Sequence, residues 1–171
     1  MLDFQACAQA YFVADHKPND PQVRLAYRAL IAETLAQFAN LPVAVSLSES
    51  DPYLSFADMR EQVARTGTLR VWSEDFLPAD HPLAQRWGSW SVNGMLRACH
   101  DYWGHLVSNA DFSLHGEETA FVNHAPQFSG LAQRALATEL RGQTCALHYG
   151  PGGFAPQKAC LLPEQFAQVI G

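Results

Sequence analysis

The sequence predicts a helix-rich α+β fold in a single domain covering residues 1–171, with helices packed around a polar histidine and carboxylate cluster and a few short strands. Three observations lead there. A chain of 171 residues that is 48% hydrophobic and 16% charged can bury one core of ordinary domain size. Apolar residues recur at three- and four-residue spacing over several long segments, the period of an amphipathic helix. β character is confined to short runs.

Taken in order, Asp20-Pro21 reads as an N-cap followed by proline at the first helical position. Val23, Tyr27, Leu30, Thr34 and Phe38 then carry a helix to about Asn40, where Leu41-Pro42 stops it. Residues 43–47 form a first β-like run. Ser55 with Asp58 three residues on resembles a capping box, and Gly67 supplies a stop, so a helix lies between them. Residues 68–72 form a second β-like run. Residues 73–93, with two prolines and two tryptophans, read as a long ordered loop of the kind that often carries function. Helices follow at 94–108, 114–125 and 130–141, the middle one closed by Pro126 and the last running from Ser129 to Gly142. Residues 144–149 read as a candidate third strand ahead of a turn at 150–153, and a short helix is expected at 163–169.

Charge and composition exclude several function classes. The formal charge is −6, Lys17 and Lys158 are the only lysines, and no basic run exists, so a direct nucleic-acid footprint is absent. No apolar stretch approaches the ~20 residues of a membrane span. The opening residues carry an acid where a signal peptide is basic, which leads to the expectation of a cytoplasmic protein. Cys7, Cys99, Cys145 and Cys160 make no C-x-x-C pair, so they are expected to be reduced and mostly buried rather than zinc-ribbon or disulfide cysteines.

Five of the seven histidines fall between His100 and His148, together with Glu117, Glu118 and Glu139. Helical geometry sorts them. Glu117 and His124 are seven residues apart and lie within about 20° of each other, on the face that carries Leu114, Ala120 and Phe121. Glu118 points away from that face, so Glu118→Gln is expected to be nearly silent. Glu139 lies among Ala132, Ala135 and Leu136 on the core face of the next helix. On the helix before, His100 sits at the edge of the apolar stripe while Asp101 and His105 share the other side. The two histidines are about 140° apart on a regular helix, so they chelate one ion only if the helix is irregular there. Gly104 lets another element approach closely.

Each feature also has a plain structural reading: an exposed Asp101–His105 pair, an internal Glu117–His124 hydrogen bond, a salt bridge from Glu139 to Arg97 or Arg141. Polar intrusions on three neighbouring helices are nevertheless how helical bundles build metal sites. The candidate metal ligands are His100, His105, Glu117 and His124, with Asp101 and Glu139 as candidate catalytic groups. Nitrogen and carboxylate donors suit a divalent transition metal: zinc, iron or manganese.

The strings His100-Asp-Tyr-Trp-Gly-His105, Gly116-Glu-Glu-Thr-Ala-Phe-Val-Asn-His124 and Thr138-Glu-Leu-Arg-Gly-Gln143 resemble an uncharacterised protein family of phages and other mobile elements. Its members carry an H-D-x-x-G-H, G-E-x-x-A-x-x-x-H, T-E-x-R-G-Q series, and the likeness extends upstream through Ala26–Ile31 and Asp51–Tyr53. The resemblance implies that His100, Asp101, His105, Glu117, His124 and Glu139 belong to one site. It brings no activity with it. The H-D pair also resembles the HD phosphohydrolases, but the required later aspartate is missing, since Asp111 falls in a loop. There is no H-E-x-x-H, Walker loop or G-x-S-x-G elbow.

These readings lead to a metal-dependent enzyme, with hydrolysis slightly favoured. A di-iron oxidase-like enzyme and a non-catalytic phage or mobile-element interaction module are the alternatives. The acidic balance and the tryptophans at 72, 87, 90 and 103 point to a small-molecule or aromatic ligand. The sequence is silent on oligomeric state.

Overall fold

The computed structural model describes residues 2–150 and 155–169. Within them a helical assembly carries a small parallel strand pair on one side, the helix-rich α+β class the sequence predicts.

The first helix, α1 (Phe4–Val13), has no counterpart among the expectations. Its residues are apolar or small around most of the circumference, so no stripe of period 3.6 stands out. The Asp3 carboxylate caps it by accepting from the Ala6 amide. At its other end Lys158 Nζ donates to three carbonyls, those of Tyr11, Phe12 and Ala14, at 2.8–3.0 Å. The buried face of α1, Cys7, Ala8 and Tyr11, packs on Cys145, Ala146, Leu162 and Phe166.

Helix α2 (Pro21–Ala39) starts where proposed, with the Asp20 side chain accepting from the amides of Gln22 and Val23. Strand β1 (Ala44–Ser48), helix α3 (Phe56–Thr66) and strand β2 (Thr68–Trp72) form a βαβ unit whose two strands pair in parallel, Ala44 opposite Thr68. Ser55 caps α3, and Gly67 ends it in the left-handed conformation, φ 68°. Leu69 and Val71 face Met59 and Ala98 in a core cluster of their own.

The predicted long loop is shorter than 73–93. Arg86–Trp87 (β3) pairs with Trp90–Ser91 (β4) in a tight hairpin, where Gly88 takes φ 60°. Helix α4 (Val92–Cys99) then runs without a break into a π-helical turn, His100–Leu106. The amides of Val107 and Ala110 accordingly reach back five residues, to the carbonyls of Tyr102 and His105.

Helices α5 (Leu114–His124) and α6 (Gly130–Ala137) follow the sequence reading, capped by Ser113 and Ser129. Beyond α6 the reading fails. The chain continues through a second π-helical turn, Thr138–Gly142, into α7 (Gln143–Tyr149), so residues 144–149 are helical and not a third strand. Gly142 is helical and stops nothing. It is glycine because an added Cβ would stand 2.8 Å from side-chain carbons of both Leu162 and Tyr11. The glycine marks a close approach between elements, which from sequence looks the same as a C-terminal stop. Three of the four residues of the expected turn at 150–153 lie outside the described residues. The expected helix at 163–169 reduces to a 3₁₀ turn, Glu164–Phe166.

The main core joins α2, α4, α5 and α6 through Tyr27, Leu30, Leu96, Phe121 and Leu136. All four cysteines are free and buried. No helix of the described residues is long and apolar enough to cross a membrane.

Candidate metal centre

The first π turn brings together two residues that a regular helix would separate. A π-helix closes its hydrogen bond at the fifth residue, so positions five apart stand one above the other. His100 and His105 therefore project toward the same neighbour, with ring centroids 4.9 Å apart. That neighbour is Glu117 on α5. Its Oε2 lies 3.6 Å from His100 Nε2 and 3.5 Å from His105 Nε2. The coordinating atoms of the three residues all fall within 4.8 Å of one another. The close approach of α5 depends on Gly104. A Cβ there would sit 2.8 Å from His100 Nδ1 and 3.1 Å from the Ala120 carbonyl.

The outer nitrogens of both imidazoles are committed elsewhere. His105 Nδ1 lies 3.0 Å from the Ala110 carbonyl, which only accepts, so Nδ1 carries a proton and Nε2 is the nitrogen turned to Glu117. His100 Nδ1 faces His124 Nδ1 at 3.4 Å, and His124 Nε2 lies 2.8 Å from Gln37 Oε1. With the amide oxygen accepting, His124 donates from Nε2 and accepts at Nδ1 from His100. His100 Nε2, the nitrogen turned to Glu117, is buried and has no hydrogen-bond partner within 3.5 Å. Two imidazole Nε2 atoms and a carboxylate oxygen thus converge on one point.

The electrostatics follow from this convergence. Burial alone would raise the Glu117 carboxyl, but the two imidazoles override it and hold it down to about 2. Burial pushes His100 below the usual imidazole range against the pull of Glu117. For His105 burial acts in the same sense, yet Glu117 prevails and the ring is held above its usual value. Burial, reinforced by the two neighbouring imidazoles, takes His124 well below it.

His124 therefore stands behind His100 rather than beside Glu117, and is not one of the three converging groups. The seven-residue spacing does put Glu117 and His124 on one face. It also puts them about 10 Å apart along the helix, and the His100 ring fills the gap. Asp101 makes no ion pair with His105 within 4.0 Å, because the π turn swings His105 toward Glu117. The Asp101 side chain instead lines a cavity of about 220 Å³ with Tyr53, Arg70, Trp72, Arg97 and Phe112. Phe112 sets its ring edge against His105, with centroids 5.1 Å apart. Burial pushes the Asp101 carboxyl up to about 7; the charges of Glu117 and Asp51 add to the rise, while His105 and Arg97 oppose it.

Glu139 belongs to a different cluster. It lies on the second π turn and is buried, and its Oε1 accepts from the Tyr27 hydroxyl. His81 Nε2 stands 3.2 Å from the same oxygen, and Gln143 Nε2 donates to the other at 2.9 Å. The His81 proton is on Nε2, because Nδ1 accepts from the Leu83 amide. Neither Arg97 nor Arg141 pairs with Glu139. Arg141 is instead clamped by Glu118 through two hydrogen bonds of 2.6 and 2.8 Å, so Glu118 is a structural counter-ion and not a free surface acid.

Sequence reasoning missed Gln37, Tyr27 and His81. Nothing local marks them, since Gln37 meets His124, and Tyr27 and His81 meet Glu139, only through the packing of α2 and the loop before β3. Comparison with protein-family models, curated proteins and solved structures returns no match for the chain.

Proposed function

We propose that His100, His105 and Glu117 hold one divalent transition metal, and that the protein is a cytoplasmic metal-dependent hydrolase. The observation that carries this reading is the convergence of two imidazole Nε2 atoms and a carboxylate oxygen, with both outer nitrogens already engaged. Separations of 3.5 and 3.6 Å are long for an N–H···O hydrogen bond. They suit ligand atoms spaced around one tetrahedral ion, for which bonds of about 2.1 Å give roughly 3.4 Å between donors. Two histidines and a glutamate are also the ligand set of open catalytic zinc sites. Bound there, the metal would lower the pKa of a coordinated water toward neutrality.

The chain's own residues supply the rest. Glu117 offsets the ion's charge, while Ala110 and the His124–Gln37 pair orient the two rings. Asp101, which follows His100 and lines the cavity beside Phe112, is the candidate proton carrier. A single carboxylate in the ligand set favours one metal over a di-iron centre, which draws on several carboxylates. Glu139 is engaged with Tyr27, His81 and Gln143 and is assigned no role here. The kinship with a phage or mobile-element family rests on the motif series alone.

The test is metal analysis of protein purified without a histidine tag, followed by assay against carboxylic and phosphoric esters. About one equivalent of zinc, iron or manganese, lost in His105→Ala, is the expected result. Less than about a tenth of an equivalent after reconstitution refutes the metal site. Metal without ester hydrolysis refutes the hydrolase reading alone. The competing interaction module, with the cluster as an internal ion pair, predicts a melting temperature indifferent to chelator.

A further inference from the structure

A second cavity, of about 240 Å³, opens between α4, the second π turn and the segment after β2. Its walls are mostly apolar, with Leu96 and Leu140 among them. Trp72 and Phe76 form a corner of the wall, their ring centroids 5.5 Å apart and their planes at 66°. Phe76 is 66% exposed, so part of its ring is free to meet a ligand. The size is below the ~300–1,000 Å³ of drug-sized sites, so the occupant is a single ring or short chain with one small head group.

The charges around the cavity decide what that head group is. Glu139 lines it from the second π turn, with a side chain 2% exposed. Its Oε1 accepts from the Tyr27 hydroxyl and its Oε2 from Gln143 Nε2. The His81 ring beside it is neutral, because a protonated Nδ1 could not accept from the Leu83 amide. Among the described residues no lysine or arginine stands within 4.0 Å of Glu139. Arg97, the one cation among the described residues of the wall, is taken by Asp75 at 3.1 Å and by the Glu74 carbonyl at 2.9 Å. Glu139 is therefore a buried anion held by neutral donors alone, and a buried charge without a counter-charge is costly. Glu74 adds a second carboxylate to the wall. The amides work in the same sense. Asn93, 7% exposed, turns its Nδ2 to Asp75, and Gln157 turns its Nε2 to Gln143. Their other ends are carbonyl oxygens with no partner among the described residues.

The geometry points to a binding site for a small organic ammonium ion, with its apolar part against Leu96 and Leu140 and its charge facing the Trp72–Phe76 corner and the acceptor oxygens. Aromatic faces attract a cation through the ring quadrupole. Glu139 acts on it through space, since a charge in apolar surroundings is felt over several ångströms. The bound cation supplies the counter-charge that the buried carboxylate lacks. An anion would meet Glu74 and Glu139 with no free cation to hold it, and a neutral ring would gain the apolar contact alone. This site is independent of the metal reading.

The probes are benzylammonium, benzyl alcohol and benzoate, which share a ring and differ in head group. They are titrated against the full chain by calorimetry and by two-dimensional amide NMR, with chelator present so that no probe is held by a metal. Benzylammonium is expected to bind saturably, to shift the amides around Trp72, Phe76 and Leu140, and to bind at least about tenfold more tightly than the other two. Glu139→Gln removes the buried charge and keeps the shape, and should weaken benzylammonium about tenfold or more while leaving benzyl alcohol unchanged. Glu74→Gln and Phe76→Ala, at exposed positions where folding is not at stake, should each weaken it by about two- to fivefold. Benzoate or benzyl alcohol binding as tightly as benzylammonium, or no saturable binding of benzylammonium at millimolar concentration, would overturn the assignment. So would a benzylammonium affinity unchanged in Glu139→Gln, or unchanged in both Glu74→Gln and Phe76→Ala.

Discussion

Glu117 and Glu118 are adjacent in sequence but held by different partners, and substituting each by glutamine tests the roles proposed for them. Glu118 holds Arg141, whose side chain is 3% exposed and which also donates to the carbonyls of Phe166 and Gln168. Stripping a buried charge of its partner costs about 3–5 kcal/mol. The glutamine oxygen still accepts one of the two bonds, and Glu118 is one-fifth exposed, so about 2–3 kcal/mol is expected. For a chain of this size that lowers the melting temperature by about 5–10 °C. Glu117→Gln removes an anion that two imidazoles hold well below the usual carboxylate range, so the metal-free protein should also lose about 1–3 kcal/mol. What it loses in addition is the metal-linked stabilisation, about 2.7 kcal/mol at a metal concentration one hundred times Kd. Calorimetric melts of both variants and the parent, with added zinc and with chelator, distinguish the two effects. Glu118→Gln should melt low under both conditions yet keep its zinc response, whereas Glu117→Gln should melt at one temperature under both. A zinc response retained in Glu117→Gln, or a Glu118→Gln that melts like the parent, refutes the reasoning.

Other substitutions probe the support of the site. Gly104→Ala places a Cβ against the His100 ring and should reduce zinc affinity at least tenfold in a competition titration. Its stability should fall by no more than about 2 kcal/mol, since better helix propensity offsets part of the strain; unchanged affinity would mean that the ring is not held as described. Gln37→Leu deprives His124 of its acceptor, so zinc affinity should drop about 10–100-fold; an unaltered affinity disproves the relay. Gly142→Ala meets Leu162 and Tyr11 and should lower the urea midpoint by an amount equivalent to about 1–3 kcal/mol. A stabilised variant would show that the glycine only weakens its helix.

Much of the fold was legible because its signals are local. Asp20-Pro21, Ser55, Gly67 and Ser129 each act on the backbone within a few residues, and each lies where the chain begins or ends a helix. The failures share a cause in distance. Gly142 accommodates residues about 20 positions after it and about 130 before it, so its local reading as a stop is wrong. The site was legible in part. Polar residues on apolar stripes picked out His100, His105 and Glu117, and the angular conflict between the histidines already required an irregular helix. A surplus residue in a helical turn leaves no pattern of its own, so that irregularity could be required but not located. The same reasoning placed His124 in the ligand set because angle was weighed and rise was not. It left Glu118 in solvent because the partner, Arg141, lies on another element.

The cap that Lys158 places on the first helix has a consequence for the order in which the molecule can assemble. The carbonyls at the end of α1 find their ammonium about 145 residues downstream, and Cys7, Ala8 and Tyr11 pack on side chains beyond position 140. As the chain leaves the ribosome, Cys7, Ala8 and Tyr11 emerge early and wait longest for cover. Closing so long a loop carries an entropic cost, so α1 is expected to dock late, onto a body that α2 to α7 form first. In that interval the helix is an exposed greasy segment, dependent on chaperones or on speed. Chains released before residue 158 should be captured by holdases more readily than the complete one.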